Sequence, residues 1–169
     1  MLGRHMVDDL FDAWEDAWSR RDPDAFAPLV VPGDFHYEDP LTPEPLEDPE
    51  ALGRHAQRLW AGFPDVRAER TGTRLFDGRF AAAPAKLVGN HTAELEGLTP
   101  TGRFIVVHTV SYCEIKDGKL FRVRVFFDLY GAAVQLGVLP KPGTLGEKAL
   151  LMFRGFGLPT RRREADGDR

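Results

Sequence analysis

The chain has 169 residues, 43% of them apolar and 11% aromatic, with a formal net charge of -4, which fits one globular domain able to bury roughly two-thirds of its unfolded surface. Its basic residues are scattered apart from Arg161-Arg162-Arg163, which argues against a nucleic-acid footprint, and a single cysteine, Cys113, leaves no internal disulfide or thiolate metal site. No apolar run approaches the ~20 residues of a membrane span, and the opening "MLGRHM" lacks the apolar centre of a signal peptide, so a reducing cytoplasm is the expected location.

From Met6 to Arg21, Val7, Leu10, Phe11, Trp14 and Trp18 recur at spacings of three and four, the stripe of an amphipathic helix. Asp22 followed by Pro23 starts a second, short helix that Pro32-Gly33 ends, and "FHYED" follows as a strand. Asp48-Pro49-Glu50 repeats the cap-and-proline start, and Leu52, Leu59, Trp60 and Phe63 form the buried stripe of a third helix. Residues 66–76 then alternate as a strand, and Asp77-Gly78 turns the chain into "FAAAPAKLVGNHTAEL", where Pro84 marks a bulge or an edge. After "PTGR" come two strong strands, Phe104 to Ile115 and Leu120 to Phe127, joined at "KDGK". Three helices followed by long antiparallel strands predict an α+β domain, with the helices on one face of a curved sheet. The domain is expected to span residues 1–140, with a helical C-terminal extension over 141–160 and a disordered tail over 161–169.

The hairpin at Lys116-Asp117-Gly118 decides what shares a face with Asp128, the acid that ends "RVRVFFD". A two-residue turn at Asp117-Gly118 groups Asp128 with Val107, Thr109 and Ser111. A type I turn with a glycine bulge groups it with Val106, His108, Val110 and Tyr112. The second register is favoured because it sorts residues coherently. It places Ile105, Val107, Thr109, Ser111 and Cys113 with Phe121, Val123, Val125 and Phe127 on a small, apolar side. The other side collects His108, Tyr112, Glu114, Arg122, Arg124, Phe126 and Asp128, which is expected to line the site. Arg124 and Asp128 are ~13 Å apart along the strand, too far for simple neutralisation.

"PTGR", "KDGKL" and "RVRVFFDLYGAAVQLGVLP" together resemble the SnoaL-like branch of the nuclear-transport-factor-like (NTF2-like) superfamily, over roughly residues 6 to 140. The resemblance implies a cone-shaped curved antiparallel sheet, an α+β barrel, closed by the three N-terminal helices, with a site inside the cone that works without metal or cofactor. Polyketide cyclases, ketosteroid isomerases and limonene-type epoxide hydrolases share that fold. In SnoaL-like cyclases and those epoxide hydrolases an aspartate at the end of the last strand does acid/base work, and the matching residue here is Asp128. The position that often carries a histidine on the preceding strand holds Glu114. "YEDPLTPEP" resembles the ketosteroid isomerase segment whose aspartate before proline shuttles the proton, which corresponds to Asp39.

The candidate catalytic residues are therefore Asp128, Asp39 and His108, with Asp128 as principal acid/base. The alternative for Asp128 is a helix N-cap, and for Asp39 plain turn chemistry. Trp14, Tyr37, Trp60, His91, Tyr112, Glu114, Arg124 and Phe126 are candidate substrate-binding residues. His91 and His108 show no HxH or HxxxH spacing, so no metal site is expected, and no phosphate loop, Rossmann fingerprint or GxSxG elbow appears. The expected function is enolisation of a hydrophobic polyketide- or steroid-like carbonyl compound, followed by ring closure or double-bond migration. A noncatalytic carrier of an apolar ligand and a limonene-type epoxide hydrolase with an altered acid pair are the alternatives. A homodimer is also expected, built on the strip of Phe121, Val123, Val125 and Phe127 with Ile105, Val107 and Thr109, unless the tail around Leu150, Leu151, Met152 and Phe153 covers that strip.

Overall fold

The computed structural model describes residues 3–153. The expected tail over 161–169, and the extension beyond residue 153, lie outside the described residues. Helix α1 (Arg4–Arg20) buries Val7, Leu10, Phe11, Trp14 and Trp18, the stripe its spacing dictates. A 3-10 helix (Pro23–Leu29) follows, with Asp22 capping the Asp24 amide at 3.0 Å. Helix α2 (Pro49–Gly62) is capped by Asp48, whose carboxylate accepts from the Ala51 amide at 2.5 Å. Trp14, Trp18, Phe26 and Trp60 pack edge-on or stacked, with centroids 5.3 to 6.3 Å apart, and weld these three elements together. Each such ring is worth roughly 1.5–3 kcal/mol of burial.

One open six-stranded sheet carries the helices, in the order β1-β6-β5-β4-β2, with β3 also paired to β4. The strands are β1 (His36–Glu38), β2 (Arg67–Arg70), β3 (Leu75–Phe76), β4 (Phe80–Asn90), β5 (Phe104–Lys116) and β6 (Lys119–Phe127). The α+β class and helix-covered curved sheet are as the sequence predicts, with two refinements. β1 runs parallel to β6, and the stretch 66–76 splits into β2 and β3. The split falls opposite Pro84, whose carbonyl accepts from the Thr71 amide at 3.2 Å. Because N and C=O of one strand residue point the same way, the amide that proline lacks faces this break and not β5.

The hairpin differs from expectation in its turn and agrees in its sorting. Asp117 and Gly118, at φ 52 and 76, form a two-residue turn with Ile115 opposite Leu120. A bulge then leaves Phe121 unpaired, so that Glu114 meets Arg122 and Cys113 meets Val123. The bulge restores the parity that a longer turn gives. Phe121 accordingly leaves the apolar side and packs edge-on against His36 at 6.5 Å.

Which side lies inside is the reverse of the expectation. Ile105, Val107, Thr109, Ser111, Cys113, Val123 and Val125 are buried beneath the helices. Arg122, Arg124, Phe126, His108 and Tyr112 point outward and are exposed. The helical stripes are apolar and bury against the apolar side of the sheet; placing the arginines there would cost their hydration. The strip proposed for dimerisation is thus the floor of the fold. Of the tail residues expected as an alternative cover, Leu150 and Leu151 of helix α4 (Leu145–Phe153) are exposed, as is Leu145, and the side chains of Met152 and Phe153 lie outside the described residues. Among the described residues no helix is long and apolar enough to cross a membrane.

Candidate functional site

Between the helices and the concave side of the sheet lies a cavity of about 180 Å3, against about 150 Å3 for an engineered cavity that holds benzene. Ala83, Val107 and Val125 pave its floor, Trp14 and Phe63 form walls, and Leu129, Ala132 and Leu136 of helix α3 (Leu129–Leu136) close one side. Gln135 holds α3 in place. Its amide accepts from the Val106 N–H and donates to the Val106 carbonyl, both at 2.9 Å, where β6 no longer covers β5.

One end of this apolar space is polar, and it is built on Asp39. The register of β1 on β6 pairs Tyr37 with Val123, which points Tyr37 and Asp39 inward. Asp39 then closes a turn: its Oδ1 accepts from the Leu41 amide at 2.7 Å, and its own amide donates to Thr42 Oγ1 at 2.9 Å. The turn fixes the backbone, and the carboxylate enters the cavity wall with its side chain only 5% exposed. Oδ2 accepts from the Tyr37 hydroxyl and from His55 Nε2, each at 2.8 Å. Burial pushes the Asp39 pKa up, but the hydrogen bonds from His55, Tyr37 and the Leu41 amide outweigh it and hold the carboxyl below the usual range. Burial, with the Asp39 charge beside it, pushes the Tyr37 phenol well up. At neutral pH the cluster is an anionic carboxylate held by a neutral phenol and an imidazole.

His55 escapes the sequence reading although it lies on the buried stripe of α2, between Leu52 and Leu59, and is itself buried. A histidine at a core position three residues from Leu52 is the signal that was available. Glu15 and Arg74 likewise carry no motif in the sequence. Glu15 lines the cavity and accepts from Arg74 at 2.9 Å. Buried Arg74 also pairs with Asp8 and Asp12 and lies over the Phe11 ring. Burial lowers the Arg74 pKa, yet Glu15 and Asp12 raise it by more, so this pair is a fixed clamp between α1 and the β2–β3 connection. Thr109 and Ser111 supply the polar positions on the inward side of β5. Continuing the β1–β6 register sets Asp39 beside Val125, which faces Ser111, two strand spacings or roughly 10 Å away.

Of the remaining predicted residues, Trp14 and Tyr37 belong to the cavity and the others fall elsewhere. Asp128 is the exposed N-cap of α3, accepting from the Gly131 amide at 2.8 Å; a side chain at Gly131 would meet the Asp128 carboxylate. Tyr112, Glu114 and Arg124 line a groove on the outer side of the sheet, where Tyr112 stacks on Phe80 at 5.9 Å and Glu114 and Arg124 pair with Arg79 and Glu38. His108 and Phe126 are also on that side. Trp60 belongs to the aromatic core, while Trp14 and Tyr37 reach the cavity. His91 is fully buried against Phe63, its Nδ1 accepting from the Thr101 amide at 3.1 Å. Among the described residues no group of three or more His, Cys, Asp or Glu side chains could hold a metal ion.

Residues 8–136 match the family model described as SnoaL-like polyketide cyclase. Among solved structures, TsrD from Streptomyces laurentii is 23% identical with a TM-score of 0.71, covering 82% of this chain and 100% of its own. AclR from Streptomyces galilaeus is 19% identical with a TM-score of 0.71 over 90% and 94% of the two chains. IdmH from Streptomyces antibioticus is 22% identical with a TM-score of 0.67 over 77% and 97%. No curated protein matches the chain.

Proposed function

The chain belongs to the SnoaL-like polyketide cyclase family, and from that premise we propose that it enolises a hydrophobic carbonyl compound inside the cavity, with Asp39 as the base. The observation that carries this reading is a buried carboxylate at the polar end of an otherwise apolar pocket, with three fixed hydrogen-bond donors. Asp39 stays ionised at neutral pH, so it is ready to accept a proton. The Asp39 carboxylate takes the proton from the carbon α to a carbonyl. The C–H pair becomes the enolate C=C, and the carbonyl π pair moves onto oxygen. Ser111 and Thr109, which line the floor across from Asp39, are assigned as the hydrogen-bond donors to that oxygen. The enolate carbon then attacks a second carbonyl of the same chain, closing a ring, or, in a β,γ-unsaturated ketone, the dienolate takes the proton back at its γ-carbon, moving the double bond into conjugation. In both cases Asp39 returns the proton, and no electrons leave the substrate. Asp128 is assigned the cap of α3 in this scheme.

The experiment is deuterium incorporation from heavy water into hydrophobic cyclic ketones and β-diketones, followed by NMR. Wild-type protein should speed exchange at the α-carbon over buffer. Binding of the same ketones without any exchange would favour a carrier.

A homodimer through the outer side of the sheet is also proposed, with a second copy as the occupant. Tyr112 and Phe126, 47% and 52% exposed, join Val110 in an apolar centre. The Arg79–Glu114 and Arg124–Glu38 pairs flank it, so both signs of charge are available to a two-fold contact.

A further inference from the structure

His55 has both ring nitrogens engaged, and the two partners differ in kind. Nε2 lies 2.8 Å from Asp39 Oδ2, and Nδ1 lies 2.9 Å from a terminal nitrogen of Arg58. A guanidinium has only donors and keeps its proton throughout the accessible pH range, so Nδ1 must present its lone pair. The ring proton is then on Nε2, where it donates to Asp39. Turning the ring over would put carbon atoms against both partners and lose both bonds.

Arg58 is itself held from outside. Its guanidinium pairs with Glu96 at 3.3 Å, at the tip of a tight turn in which the Leu95 and Leu98 backbones bond to each other at 2.8 and 3.0 Å. Glu96 and Gly97 both take positive φ, 46 and 87. Leu95, at the base of the turn, packs so closely on Gly62 at the end of α2 that a Cβ on Gly62 would lie 2.7 Å from it. The turn is thus seated on α2 by both an apolar contact and an ion pair.

We propose that Arg58 is a positioning residue that locks the His55 ring in its Nε2–H tautomer and thereby makes His55 a permanent hydrogen-bond donor to Asp39. Arg58 is not among the residues that line the cavity. Its effect reaches the reaction through His55, and this consequence rests on the reading of Asp39 as the base; the tautomer itself does not.

The test is the ring 15N spectrum of the full-length protein at neutral pH, with the His55 signals identified by their loss in His55→Gln. The wild type should show one neutral tautomer, with Nε2 protonated and Nδ1 bare. Arg58→Ala should shift both resonances toward a mixture of ring forms, and Arg58→Lys, which keeps a cationic donor, should restore much of the wild-type pattern. A wild-type ring protonated on Nδ1, alone or with Nε2, overturns the proposal, as does a folded Arg58→Ala protein with an unchanged His55 spectrum. Should Arg58→Ala fail to fold, the wild-type and Arg58→Lys spectra still decide, since the first alone reports which nitrogen carries the proton. In the exchange assay Arg58→Ala should lower kcat while leaving KM in place. A tautomer result as expected with no exchange in any variant would sink the enolisation reading and leave this one standing.

Discussion

Nε2 of His55 lies 2.8 Å from Oδ2 of Asp39, which ties the middle of α2 to the turn that follows β1. The contact joins a helix to the edge of the sheet at the polar end of a mostly apolar cavity. It gives the carboxylate a donor that backbone geometry alone does not provide.

The first prediction concerns acid stability. The Asp39 carboxyl is held below its ordinary range, so its contribution to stability is fully present above the unfolded-state value and is lost as pH falls through the lower folded-state value. Asp39→Asn removes that contribution. Urea unfolding at a series of pH values should find the variant less stable than wild type near neutrality, with the two curves converging in acid; a constant gap would mean the carboxyl is not depressed.

The hydroxyls across the floor give the second. Thr109→Val and Ser111→Ala remove possible donors to the developing oxyanion while leaving the cavity close to its shape. Loss of one such donor typically costs about 100-fold or more in kcat, and KM for an apolar ketone should change little. Steady-state exchange kinetics on the two single variants and the double variant provide the check.

Asp128 supplies the third. As the cap of α3 it should tolerate Asn well, whereas Asp128→Ala should cost about 1 kcal/mol. Because α3 roofs the cavity, that loss should appear as faster amide exchange in Leu129–Leu136 before it appears in global unfolding.

The fourth is the outer surface. Phe126→Glu or Tyr112→Glu introduces like charges at the centre of the proposed two-fold contact. Light scattering should report a dimer for wild type and a monomer for either variant, both still folded by circular dichroism; a monomeric wild type ends the dimer proposal.

The chain's helices, the two long strands and the sorting of side chains between the two sides of the β5–β6 hairpin were legible because periodicity encodes them directly. What periodicity does not encode is which side faces in. Ionisable Arg124, Glu114 and His108 read as a site, yet helices that carry Trp14, Trp18 and Trp60 bury only against an apolar partner, so the pocket formed over Thr109 and Ser111. Asp39 was legible through its Asp-Pro step. His55 was not, because a single histidine within the Leu52, Ala56 and Leu59 stripe reads as core until a carboxylate more than a dozen residues away is brought against it. The parallel pairing of β1 with β6 joins segments distant in sequence and leaves no local mark.

The most direct measurement is α-carbon deuterium exchange on one hydrophobic ketone, run side by side with wild type, Asp39→Asn and Asp128→Asn, each shown to be folded. General-base catalysis by a positioned carboxylate is worth roughly 10^2 to 10^4 in rate, so Asp39→Asn should fall by about that factor while Asp128→Asn stays within about twofold of wild type. Exchange that survives in Asp39→Asn and disappears in Asp128→Asn would contradict the account and move the chemistry to the start of α3.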